Sequence, residues 1–238
     1  MRGFLVAFSV AMVAIQSAAA GGNKKYCAPG CKTKIEALNK RITALEERDQ
    51  WQMLLRVSKG DGGNVVDKWE GNHAYNEDKA ANAQDLSKTF DGIYKSAMVE
   101  KWGSLNIQEV KVAVYNKGEE KAYFIFDGRK TTKMNFFDKA KLLASTYPNL
   151  SSEPSNYFSI KGHNDYNRHF FMSRSYGGCP NDQAWFVLVD DGKVGCDWSE
   201  KEAKPYFLYS PTDTYANLET EALIADTFAI FIRTRPLM

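Results

Sequence analysis

The clearest pattern in the chain is an alternation with a break in it. Val110, Val112 and Val114 recur at every second position, Asn116-Lys117-Gly118-Glu119 interrupts them, and Ala122-Tyr123-Phe124-Ile125-Phe126 resumes. Successive side chains of a strand point to opposite faces, so this pattern predicts a β-hairpin. Trp51, Met53, Leu55 and Val57 alternate in the same way with Gln52, Leu54, Arg56 and Ser58, which predicts a strand ending at Gly60-Asp61-Gly62-Gly63-Asn64. Short apolar runs predict further strands at Tyr157–Ile160, His169–Ser173, Trp185–Asp190, Tyr206–Tyr209 and Ile224–Ile232. Asp191-Gly192, between Val189 and Val194, has the composition of a tight turn. Residues 72–103 are polar and Ala-rich, and Leu86, Phe90, Tyr94 and Trp102 predict a short helix or structured loops there. Phe136-Phe137-Asp138 through Ser145 reads as one short helix closed by Pro148. Many short strands with few helices predict a mainly β protein, a single β-sandwich or jelly-roll-like domain over residues 51–233.

Upstream the periodicity changes. Thr33-Lys34-Ile35-Glu36 is a capping box, in which the Thr hydroxyl and the Glu side chain satisfy orphan N–H groups at a helix start. Ile35, Leu38, Ile42 and Leu45 follow at alternating steps of three and four, an a-d-a-d seam that predicts a short coiled-coil helix over 33–48. Self-association as a dimer or trimer is one consequence; an amphipathic helix packed on its own domain fits the same pattern. Arg2, the apolar run Phe4–Ile15 and the small residues Ser17-Ala18-Ala19-Ala20 have the form of a signal peptide over 1–20. That run is shorter than the roughly 20 apolar residues needed to span a bilayer. The expected product is secreted and extracellular, with no membrane span.

Composition narrows the function classes. With 31 Lys+Arg against 29 Asp+Glu and a formal charge of +2, the chain is too balanced for a dedicated nucleic-acid binder. In an oxidising compartment the four cysteines are expected as disulfides. Cys179 and Cys196 flank an apolar run and are expected to bridge. Cys27 and Cys31 lie in a leader over 21–32 and pair with each other or between chains. Zinc binding is disfavoured because none of the three histidines sits near a cysteine at ligand spacing. Asn149-Leu150-Ser151 is an N-glycosylation sequon.

The chain lacks the G-x-S-x-G, H-E-x-x-H, P-loop and G-x-G-x-x-G motifs. His73, His163 and His169 are the only imidazoles, and no residue is assigned a catalytic role. Asn164, Asp165, Asn167 and Arg168, followed by Arg174 and Tyr176, combine amides, a carboxylate, guanidinium groups and an aromatic ring, which suit hydroxyl-rich sugars. The same residue types also build turns for backbone reasons. Asp182, Asp190 and Asp191 offer oxygen ligands for Ca²⁺ without EF-hand spacing, so calcium is the one cofactor to consider.

Ser173-Arg174-Ser175-Tyr176-Gly177-Gly178-Cys179-Pro180-Asn181-Asp182, Cys196-Asp197-Trp198, Phe207-Leu208-Tyr209-Ser210 and Ala225-Asp226-Thr227-Phe228-Ala229-Ile230-Phe231 carry a family resemblance. Together with Ile125-Phe126-Asp127-Gly128 they resemble secreted invertebrate proteins of cnidarian and mollusc matrix type, over most of residues 51–233. Phe158-Ser159, Asn164-Asp165 and the late cysteine pair are more faintly similar to fibrinogen-like recognition domains, although the Gly-Gly-Trp-Trp expected there is absent. The resemblance implies extracellular recognition or a matrix role and carries over no catalytic residues. A secreted, non-enzymatic glycoprotein that recognises carbohydrates or matrix surfaces is the expected function, with a structural component of a skeletal or shell matrix as the alternative.

Overall fold

The computed structural model describes residues 34–38, 50–61, 63–193 and 195–235. The expected signal peptide, the leader with Cys27 and Cys31, and most of the expected coiled coil lie outside the described residues. Two compact units, Met1–Glu47 and Arg48–Met238, divide the chain. In the first, residues 34–38 are helical, with Ile35 and Leu38 exposed.

The second unit is mainly β. Its strands are β1 Gln52–Ser58, β2 Ile93–Lys95, β3 Ile107–Asn116, β4 Glu119–Asp127, β5 Leu142–Ser145, β6 Tyr157–Ser159, β7 Arg168–Ser175, β8 Gln183–Val189, β9 Tyr206–Tyr209, β10 Ala216–Asn217, β11 Leu223–Ala225 and β12 Thr227–Thr234. They form two antiparallel sheets, one ordered β2-β1-β12-β3-β4-β5 and the other β11-β9-β8-β7-β6, with β10 paired to β8. Phe228 of the first sheet stacks on Phe186 and Phe207 of the second at 5.8 and 5.6 Å, and tilts against Phe170 at 5.0 Å. The main core therefore lies between the sheets, the arrangement expected of a β-sandwich. β1–β5 and β12 make up the first sheet and β6–β11 the second, so successive strands do not alternate between sheets as in a jelly roll.

The expected β3–β4 hairpin forms, with Val112 opposite Phe124 and Val110 opposite Phe126. Four local expectations fail. In β1 a bulge between Met53 and Leu55 breaks the alternation: Leu54, Leu55 and Val57 enter the main core, while Met53 and Trp51 pack in a second cluster on the outer face. The apolar run Ile224–Ile232 is two strands, since the chain leaves the second sheet and enters the first at Asp226. Residues 136–145 do not form a helix. Phe136 and Phe137 are both buried in the main core, Asp138 caps a single 3₁₀ turn through the Ala140 N–H at 2.8 Å, and β5 then pairs with β4. Asp191-Gly192 does not close a tight hairpin: β8 reaches β9 through the loop of residues 195–205.

Within residues 72–103 the chain forms the short helix Ala80–Ala83, β2 and the 3₁₀ segment Ala97–Ser104. Just before them stands the helix Val65–Glu70, unforeseen because only Val65, Val66 and Trp69 mark its buried face. Its cap comes from far away in sequence. Both Asp190 carboxylate oxygens accept backbone N–H groups at its start, Oδ1 from Asn64 at 2.7 Å and Oδ2 from Val65.

Candidate functional site

β7 and β8 position a cleft on the outer face of the second sheet. Its volume is about 470 Å³, and its principal walls are His163, Tyr166, Arg168, Tyr176, Asp182 and Trp198. Concavities of this size commonly hold small ligands. The 3₁₀ turn Asn164–Tyr166 and the first residue of β7 supply Tyr166 and Arg168. Tyr176 follows the end of β7, Asp182 precedes β8, and Trp198 comes from the loop between β8 and β9.

That loop is fastened at several points. Cys179 and Cys196 form a disulfide with Cα atoms 5.5 Å apart. Asp182, 2% exposed, accepts N–H groups from Gly177 at 3.1 Å and Gly178 at 3.2 Å on Oδ1, and the Trp198 indole N–H at 3.0 Å on Oδ2. Tyr206 donates its hydroxyl to the Trp198 carbonyl at 2.8 Å. The Trp198 ring is therefore held at both its indole and its backbone, and packs 5.1 Å from the Arg168 guanidinium. On the opposite wall the Tyr176 hydroxyl meets His163 Nδ1 at 2.8 Å, and the His163 ring stacks on Tyr157. Burial raises the Tyr176 pKa, and Arg168 opposes this only in part, so the phenol stays protonated at neutral pH.

Two of the sugar-contact residues expected from sequence, Arg168 and Tyr176, meet in this cleft. Asn164 and Asp165 are exposed outside its walls. Asn167 serves the turn reading: its φ is 51°, its side-chain amide donates to the Asp191 carbonyl, and its own carbonyl accepts the Asp190 N–H at 2.9 Å. Arg174 bonds Glu153 at 3.0 Å and lies over the Tyr215 ring, away from the cleft.

The calcium candidates do not converge. Asp182 and Asp190 flank the seven-residue strand β8 at its two ends, roughly 25 Å apart at strand rise, and each carboxylate is filled by backbone or indole N–H groups. Cys179, Cys196 and Asp182 place ligand atoms within 4.8 Å of one another, a spacing suited to a metal if the thiols were free. As a disulfide they have no thiolate to offer. At the sequon, Asn149 is half-buried, donating to Thr214 Oγ1 at 2.6 Å and accepting from Trp185 Nε1 at 3.0 Å, so a glycan there must share the nitrogen with Thr214.

His73 is exposed, and His169 is buried beneath the sheet surface, with Nδ1 donating to the Lys161 carbonyl at 3.0 Å. Burial pushes the His169 pKa below its usual 6.5 against the smaller pull of the Lys161 carbonyl, Asp190 and Asp67; the nearby Lys161 charge adds to the fall. A ring neutral in the folded state and protonated in the unfolded one costs stability as pH falls below about 6.5. Its contribution to the slope is at most about 1.4 kcal/mol per pH unit, the limit for one proton. Urea midpoints at pH 7.5 and 5 should therefore separate for the wild type, and His169→Asn, whose amide can still donate to Lys161, should narrow the gap. Equal gaps in both proteins would assign the pH dependence elsewhere.

Sequence reasoning missed Tyr166 and Trp198 as partners of Arg168. The one available signal was the aromatic residue two positions after Cys196, which a disulfide would carry to β8. No family model matches the chain, and no curated protein or solved structure matches it. No helix among the described residues is long and apolar enough to cross a membrane.

Proposed function

We propose that this protein is a secreted, non-enzymatic recognition module that binds carbohydrate through the cleft between β7, β8 and the disulfide-tied loop. The observation that carries the reading is the composition of that cleft: the half-buried Tyr166 and Tyr176 rings, backed by the buried Trp198, beside a guanidinium and an imidazole. Flat rings suit the apolar faces of sugars, and the polar groups suit their hydroxyls. Asp182, Tyr206 and the disulfide fix the walls beforehand, which lowers the ordering cost of binding. Assembly through the 33–48 helix would turn weak single-site binding into avidity.

The test is a glycan array probed with the full-length secreted protein, alongside a truncated form beginning at residue 50. Saturable binding that free sugar competes away, and that weakens on truncation, is the expected result. A blank array for the full-length protein would remove the recognition reading.

A further inference from the structure

Arg168 is the one cleft residue whose charge the fold leaves unanswered. It is 1% exposed, yet a guanidinium carries five N–H donors and is always charged at neutral pH. Among the described residues its hydrogen-bond acceptor is the Tyr166 carbonyl, which takes Nη1; Nε is buried with no acceptor, and no described carboxylate pairs with it. The nearby acids are engaged elsewhere. Both Glu200 oxygens lie 3.0 Å from Lys204 Nζ, and Asp182 serves Gly177, Gly178 and Trp198.

The rings of Trp198 at 5.1 Å and Tyr166 at 5.9 Å offset part of the burial. They accept no N–H bond in the guanidinium plane, and desolvation remains the leading influence on Arg168, lowering its pKa. Glycine at 195 is what gives the guanidinium its room: a Cβ there would stand 3.0 Å from Nη2 and 3.3 Å from Tyr166 Cδ1. A buried cation with spare in-plane donors, walled by flat rings and opening into a cleft, is the complement of an oxyanion attached to a ring-shaped molecule.

We propose that the cleft takes an acidic saccharide, with Arg168 receiving its carboxylate or sulfate oxygens and the half-buried Tyr166 and Tyr176 rings holding the adjoining sugar. This inference rests on the recognition reading above and adds the chemical class of the ligand. Charge-assisted bonds in a partly desolvated site are stronger than those to neutral hydroxyls, so charge should dominate selection.

The experiment uses matched pairs with the full-length wild-type protein, read by calorimetry. One arm compares a glucuronate-containing oligosaccharide with its methyl ester; the other compares a sulfated galactoside with its unsulfated twin. In at least one arm the acid should bind about tenfold or more tighter than its neutral twin. The arm that discriminates identifies the carboxylate or the sulfate as the source. Arg168→Met, which exchanges a buried unpaired charge for an apolar stem, should fold and lose the difference; the wild-type comparison stands even if it does not fold. Acid and neutral twins bound equally well would overturn the anion assignment while leaving sugar recognition intact. No binding by any of the four would overturn both.

Discussion

Asp182→Ala is expected to lower the unfolding free energy by about 1–3 kcal/mol, because a buried donor left without an acceptor costs about that much. The carboxylate is 2% exposed and serves the Trp198 indole N–H together with the Gly177 and Gly178 N–H groups. The two glycines are exposed and can turn to water, so the indole, in a residue 1% exposed, dominates the loss. Asp182→Asn separates the two roles. Its amide oxygen can still receive the glycine N–H groups, but its NH₂ then faces another donor at Trp198. Both variants should show an altered tryptophan environment by near-ultraviolet circular dichroism, with the glycine turn kept only in the Asn variant. A cost below about 1 kcal/mol for Asp182→Ala would mean that packing alone holds the indole.

Replacing Cys179 and Cys196 together by alanine should cost about 3 kcal/mol, the value the chain-entropy argument gives for a loop of this size. The two are 17 residues apart and bracket β8, so the bridge ties the start of that strand to the loop beyond its end. Urea denaturation of the double variant measures the loss. Adding a reductant is the poorer test, because it does not act on this bridge alone. An unchanged midpoint would show that Asp182 and the outer apolar cluster around Trp198 and Tyr206 suffice to hold the loop. Trp198 forms a wall of the cleft, so on the proposed reading both variants should also weaken saccharide binding even where the domain stays folded.

The readings that held rest on interactions between near neighbours. Val110, Val112 and Val114 face Ala122, Phe124 and Phe126 across one turn, and the Cys179–Cys196 pairing follows from two cysteines around a single apolar strand. The readings that failed needed a distant partner. Asp226 and Thr227 are the polar pair within Ile224–Ile232, and the Asn116 side chain at 2.8 Å and the Lys117 N–H at 2.7 Å hold Asp226 where the chain changes sheets. Phe136 and Phe137 look helical only until Phe126 and Phe170 are placed beside them. The cleft was half legible. Arg168 and Tyr176 stood out as polar and aromatic groups in one polar segment, but nothing near them in sequence distinguished their fates from those of Asn164 and Arg174.

Alternation and turn chemistry are written into adjacent residues, and by themselves they determined that this chain makes antiparallel sheets closed by a late disulfide. Which face each strand buries, where the chain crosses between sheets, and which polar groups lose their water were decided only in the tertiary structure. Desolvation is a property of everything packed around an atom. Arg168 becomes a buried, unanswered charge only once Trp198 and Gly195, about 30 residues further along the chain, have folded over it.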